Sequence, residues 1–308
     1  MSCTGLVKRF GSVTALDGLD LTVTRGRVVG FLGPNGAGKS TTIRILLDLI
    51  RPTAGLVRVF GLEPRRSAVE NRRRIGYLPG ELRLDERLSV GQTVRSWTRL
   101  RGADQTTLDR AHTLLERLDL APDRSAKSLS SGNRRKLGLV GAFMDSPELL
   151  VLDEPTNGLD PLVQQEFHSL VDEATARGAT VFLSSHVLDE VARIADDAVV
   201  IRAGRVVAAG AVGELVGHAR QPFSVVFRDA VPEGALRAAP GVRDLEIAGH
   251  EARGSVAGSP DGLLGVLAAH PVDRLLLPEP DLEQAFLGFY SGPEPDDRTG
   301  ADGAGGAS

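Results

Sequence analysis

Gly33-Pro34-Asn35-Gly36-Ala37-Gly38-Lys39-Ser40 breaks an otherwise apolar stretch and decides how the chain around it folds. Before it runs Val28-Val29-Gly30-Phe31-Leu32, a short continuous apolar segment that predicts a buried strand. After it, Ile43, Leu46, Leu47 and Ile50 recur at helical spacing and predict a helix reaching Ile50. Between a strand and a helix, glycines let main-chain N–H groups converge on phosphate oxygens, and the helix start adds its positive dipole. The spacing G-x-x-x-x-G-K-[ST] places Lys39 to reach β- and γ-phosphates and Ser40 to offer a hydroxyl to Mg²⁺. Gly33, Pro34, Asn35, Gly36, Ala37, Gly38, Lys39, Ser40 and Thr41 are therefore the expected nucleotide-binding positions.

Two more buried strands end in chemistry. Leu149-Leu150-Val151-Leu152 delivers Asp153 and Glu154 at its C-terminal end, where open α/β sheets hold their ligands. Asp153 suits a water-mediated hold on Mg²⁺, and Glu154 suits the general base that activates a water. Thr180-Val181-Phe182-Leu183 leads through Ser184 and Ser185 to His186, whose imidazole can orient that water. The other histidines, His112, His168, His218, His250 and His270, lack such a strand-end position, and no role is expected of them.

Residues 1–217 alternate short β-branched runs with helical stretches, which predicts an α/β phosphate-loop NTPase fold with a mixed, largely parallel sheet. Val199-Val200-Ile201 and Val206-Val207 flank Ala203-Gly204 as a hairpin. Residues 85–148 carry no strand-like run and read as an inserted helical subdomain. Residues 222–290 read as a small α+β domain, with strands at Phe223-Ser224-Val225-Val226-Phe227 and Leu275-Leu276-Leu277 and a short helix from Leu282 to Tyr290. The Gly/Ala/Asp/Pro-rich residues 291–308 read as a disordered tail. Arg65-Arg66 and Arg72-Arg73-Arg74 read as a solvated basic face.

Composition bounds the function. The 308 residues are 42% apolar and 25% charged, with net charge −4, which gives no pull toward nucleic acid. A single cysteine, Cys3, excludes an internal disulfide. No apolar run approaches the ~20 residues that span a bilayer, and the first ten residues lack the apolar core of a secretory signal. A cytoplasmic protein is expected.

Leu129-Ser130-Ser131-Gly132-Asn133, opening a helical stretch from Arg134 to Met144, resembles the Leu-Ser-Gly-Gly-Gln signature of ATP-binding cassette (ABC) ATPases. Gly158-Leu159-Asp160-Pro161 resembles that family's D-loop, and Phe10 in Lys8-Arg9-Phe10-Gly11 stands where the family stacks an aromatic ring on adenine. The motifs occur in the family's order over residues 1–217. The resemblance implies ATP and Mg²⁺ as cofactors, with Mg²⁺ held by Ser40 and Asp153. It implies two cassettes sandwiching two nucleotides, with Ser130, Ser131, Gly132 and Asp160 facing the nucleotide of a second copy. It also implies a separate membrane permease as partner and a place on the inner face of the membrane. The family usually has a glutamine where this chain has Gly80, so direct side-chain ligation there is impossible, and Glu81 is expected to stay off the ion. Pro278-Glu279-Pro280-Asp281-Leu282-Glu283-Gln284-Ala285-Phe286 resembles the C-terminal extension of daunorubicin-resistance-type exporter ATPases, which implies drug or small-molecule export. A cassette ATPase of translation or DNA maintenance is the alternative class. Such proteins usually carry two cassettes or long coiled coils, and this chain has one cassette and no heptad run.

Overall fold

The computed structural model describes residues 1–66, 68–102, 104–217 and 220–278. The chain divides into two compact units between Gly217 and His218. In the first unit the chain runs β1 (Ser2–Phe10), β2 (Val13–Thr22), β3 (Val28–Leu32), α1 (Lys39–Leu46), β4 (Ala54–Arg58), α2 (Ala68–Arg74) and β5 (Ile75–Leu78). It continues through α3 (Val90–Arg101), α4 (Gln105–Arg117), α5 (Ser131–Phe143), β6 (Leu149–Asp153), α6 (Pro161–Ala176) and β7 (Thr180–Ser185). It ends with α7 (Leu188–Ile194), β8 (Asp197–Arg202), β9 (Arg205–Ala211) and α8 (Val212–Gly217).

The central sheet has six strands in the order β5-β6-β7-β3-β8-β9, parallel except for the last pair. β3, β6 and β7 are buried at every residue, which is why each reads as an unbroken apolar run rather than an alternating one. Their register decides where the chemistry sits. Leu32 pairs with Ser185 and Asp153 pairs with Ser184, so the adjacent strands β6, β7 and β3 end level with one another. At the sheet's far edge Ala203 (φ 47°) and Gly204 (φ 77°) turn β8 into β9, the double left-handed conformation that suits a two-residue hairpin.

A separate three-stranded antiparallel sheet, β2-β1-β4, has no counterpart in the sequence reading. Register shifts at Leu6 and Lys8 break the alternation by which a strand is recognised. Two helices differ from expectation. α1 stops at Leu46 instead of Ile50, because Asp48 turns left-handed (φ 54°) and the amides of Leu49 and Ile50 both close back on the Arg44 carbonyl. Ile50 still packs on the core, so its apolar character was a packing signal and not a helical one. α5 begins at Ser131, three residues ahead of Arg134, with Ser130 in the N-cap place that its residue type and position suggest: its Oγ accepts the Asn133 amide at 3.3 Å.

The stretch between β5 and β6 holds the helices α3, α4 and α5. α3 starts in a capping box in which Ser89 and Gln92 satisfy each other's amides. Arg74 leaves the solvated face expected of it: its guanidinium pairs with Glu148 at 2.7 and 2.8 Å and lies 3.8 Å over the Phe60 ring.

The second unit reads β10 (Arg220–Phe227), α9 (Glu233–Ala238), β11 (Val242–Ala248), β12 (Glu251–Ala257), α10 (Asp261–Ala268) and β13 (Val272–Leu276). The antiparallel strand order β11-β12-β10-β13 with this βαββαβ sequence is ferredoxin-like. Phe223, Val225 and Phe227 alternate into its core. The expected helix from Leu282 to Tyr290 and the tail 291–308 lie outside the described residues, as does most of the 278–286 segment.

α5 and β5 approach unusually closely. A Cβ at Gly76 would overlap the carbonyl oxygen of Ala142, and one at Gly138 would stand 2.5 Å from Leu78 Cδ1. Gly76→Ala therefore has to push the helix off the sheet. It should destabilise the protein by about 1–3 kcal/mol, read as a lowered urea midpoint at unchanged slope.

Candidate functional site

The phosphate loop is shaped by close approaches that admit no side chain. A Cβ at Gly33 would lie 2.5 Å from the Ile201 carbonyl oxygen, and one at Gly38 2.8 Å from that of Ala15. Gly38 also takes the left-handed φ of 112° that starts α1, with no side chain capping the helix. The N–H groups of that first turn are thus left for a ligand.

Lys39 is 6% exposed, and its ammonium is turned into the loop it follows. Nζ donates to the Gly33 carbonyl at 2.5 Å and to that of Pro34 at 3.3 Å. Glu154 Oε1 lies 3.3 Å away on the other side, and Glu154 Oε2 lies 2.7 Å from His186 Nδ1. One carboxylate therefore bridges an ammonium from β3–α1 and an imidazole from the end of β7. Glu154 holds this place at a left-handed φ of 52°, anchored by its amide to the Ser184 carbonyl at 3.1 Å. A non-glycine residue there costs about 1–3 kcal/mol, and such strain gathers at functional sites.

Behind this group Asp153 is 3% exposed and its Oδ1 accepts from Ser184 Oγ at 2.6 Å. Its Oδ2 points at the Gly80 loop, 3.1 Å from where a Cβ of residue 80 would be. Glu81 is 81% exposed and turns toward Arg83, away from Asp153. Glu190, on α7, accepts from Thr156 Oγ1 at 2.5 Å and from Ser185 Oγ at 2.9 Å. It thereby ties the loop after Glu154 to the loop before His186, and burial pushes its carboxyl pKa up.

A cavity of about 260 Å³ gathers these groups, lined by Gly36, Lys39, Ser40, Glu154, Asn157 and His186 among others. Phe10 is not part of its wall. It sits half exposed at the tip of the β1–β2 hairpin, paired with Val13, with the Lys8 ammonium 4.7 Å over its ring. Ala15 of the same hairpin does line the cavity. Ser130, Ser131 and Gly132 lie elsewhere, at the exposed start of α5, where a Cβ at Gly132 would stand 2.8 Å from the Gly158 carbonyl oxygen. Asp160 caps α6, its Oδ1 accepting the Leu162 and Val163 amides at 3.1 Å. Within one chain, then, the phosphate loop, Glu154 and His186 meet, while the signature and D-loop residues form a second cluster.

Sequence reading missed Arg135, Ser184, Glu190 and Asn157. Arg135 is hidden in the run Arg134-Arg135-Lys136, where nothing local distinguishes a buried arginine from two half-buried neighbours.

A glycine loop, a carboxylate and an imidazole at three strand ends around one cavity are a nucleotide-hydrolysing arrangement, and known proteins agree. The family model described as ABC transporter matches residues 16–157. The daunorubicin resistance ATP-binding protein DrrA3 of Streptomyces coeruleorubidus is 43% identical over 236 residues, covering 75% of this chain and 74% of that one. This chain belongs to the ABC transporter family. The Nod factor export ATP-binding protein I of Ralstonia nicotianae is 35% identical over 297 residues, spanning 93% of this ABC ATPase and 92% of its relative. A solved ATP-binding subunit of an ABC transporter superposes with a TM-score of 0.66 at 30% identity, over 70% of this chain and 90% of that one. This ABC protein is an ATPase that binds ATP and powers transport through a membrane permease subunit. Among its described residues no helix is long and apolar enough to cross a membrane.

Glu154 Oε1 lies 3.3 Å from Lys39 Nζ, so Glu154→Gln removes a negative charge from beside that ammonium. Nucleotide binding without metal, titrated with a fluorescent ATP analogue, should tighten by roughly threefold to tenfold, about 1 kcal/mol.

Proposed function

We propose that this subunit hydrolyses ATP between two copies of itself, on the inner face of the membrane, and drives the export of a drug-like small molecule. The observation that carries the reading is the convergence of Lys39, Ser40, Glu154 and His186 on one cavity at the level ends of β3, β6 and β7.

In this reading the triphosphate takes the place of Glu154 beside Lys39, and the phosphate-loop amides surround its oxygens. The freed Glu154 carboxylate accepts the proton of the attacking water, which His186 Nδ1, already 2.7 Å from that carboxylate, keeps in line. Ser40 and Asp153 would hold Mg²⁺. A hydroxyl and a carboxylate suit this hard cation, which draws its remaining ligands from phosphate and water, and no cluster of three acidic, histidine or cysteine ligands exists among the described residues. Bound there, Mg²⁺ supplies charge stabilisation to the phosphoryl group. Phe10, exposed at its hairpin tip, offers a face to adenine.

The signature residues Ser130, Ser131 and Gly132, with Asp160 beside them, are separate from the cavity of their own chain, which favours their use on the nucleotide of a second copy. Export of a small molecule is supported by the relatives named for daunorubicin resistance and Nod factor export. A further groove of about 460 Å³ suits the permease. It exposes Leu49, Val69 and Leu100, and the buried Asn71 in its wall has an amide without a hydrogen-bond partner among the described residues.

Lys39→Ala should abolish ATP hydrolysis while the circular dichroism spectrum stays unchanged; wild-type turnover in that variant would sink the assignment. Glu154→Gln should retain ATP and accumulate a dimer visible by light scattering. In membranes containing the permease, Leu100→Glu should reduce stimulated hydrolysis to the rate of the subunit alone.

A further inference from the structure

Arg135 lies on α5, which opens at the Ser130 cap, and only 8% of it is exposed. A buried guanidinium costs several kcal/mol unless its donors are satisfied. Here the donors go to main-chain carbonyls of two other segments. Nη1 donates to Pro79 at 2.7 Å and to Asp153 at 3.4 Å, and Nη2 donates to Gly80 at 3.0 Å. Among the described residues it forms no carboxylate ion pair, and burial pulls the guanidinium pKa down while Asp153 and Glu154 pull it up. The fork therefore holds backbone, and it holds the backbone at both sides of the Asp153 carboxylate.

Residue 80 is the reason this matters. Gly80 has no side chain to send toward the metal, yet its Cα faces Asp153 Oδ2 so closely that a Cβ would be only 3.1 Å from that oxygen. What meets the carboxylate on this side is main chain, and the main chain is fixed by Arg135. The same arginine is built into the helix whose first residues form the signature cluster. We propose that Arg135 is a positioning residue that locks the Gly80 main chain against Asp153 and binds both to α5, so that the Mg²⁺ side of the site and the signature terminus take up their places together.

This rests on the ATPase reading of the site, and the two can be tested apart. Trp97 is the chain's single tryptophan, and its ring packs against α5, with Cζ3 2.7 Å from a Cβ built at Gly141. Its emission therefore reports on α5. Wild-type protein loaded with a non-hydrolysable ATP analogue is titrated with Mg²⁺ while Trp97 fluorescence is followed, alongside the Mg²⁺ dependence of ATP hydrolysis.

In the wild type both curves should share one midpoint. Arg135→Lys keeps the charge but loses the fork. It should bind the metal-free analogue within about twofold of wild type, while the Mg²⁺ midpoint of both curves rises roughly tenfold or more, as expected for losing an outer-shell partner. Gly80→Ala, which presses on the same carboxylate from the loop side, should move the midpoint in the same direction and covers the case in which Arg135→Lys does not fold. An Arg135→Lys protein whose midpoint and Trp97 response equal the wild type's overturns the inference. Wild-type protein that fails to bind the analogue overturns the ATPase reading instead.

Discussion

The constraint on which the site depends is the parallel hydrogen-bond register of β6, β7 and β3. Parallel pairing forces all three chains to leave the sheet in the same direction, and the pairs Leu32–Ser185 and Asp153–Ser184 make them leave at one height. Strands in a sheet lie about 4.8 Å apart, so side chains just beyond level ends are within a hydrogen bond of one another. Slip β7 by one residue and Ser184 no longer reaches Asp153, while His186 swings to the opposite face. The full burial of these strands is what prevents the slip.

Around that level edge the molecule spends its polar groups on holding loops. Ser184 serves Asp153, Glu190 joins the Thr156 and Ser185 segments, and Arg135 gathers Pro79, Gly80 and Asp153. None of these touches the place where phosphate would react. They set the positions of the groups that do, and each draws on a different element, so the helical insert, α7 and the central sheet share one network. Glu154, bridging Lys39 and His186, is the point where those elements meet the cavity.

The parallel core and its site were legible because they are written locally. A buried parallel strand is a continuous apolar run, a phosphate loop needs glycines where backbones touch, and the carboxylate and imidazole that meet at the cavity directly follow strands. The β8–β9 hairpin was legible for the same reason, through Ala203-Gly204. What could not be read is whatever depends on distant partners. The β2-β1-β4 sheet is disguised by its bulges, and α1 ends early through hydrogen bonds to Arg44. The ferredoxin-like order of β10 to β13 exists only as pairing. Arg135 and Glu190 look like ordinary surface charges until the fold folds over them.

The left-handed backbone of Glu154 has a consequence for how this protein can change. Glycine or asparagine at that position would relax the strain that glutamate carries. Selection for heat tolerance alone would thus favour replacing the residue that the proposed function makes the proton acceptor, and in that reading the resulting lineages would be sturdier and inert. Thermal robustness and turnover pull against each other at this single residue, so a search for hardier forms of this subunit has to keep position 154 fixed and find its gains elsewhere.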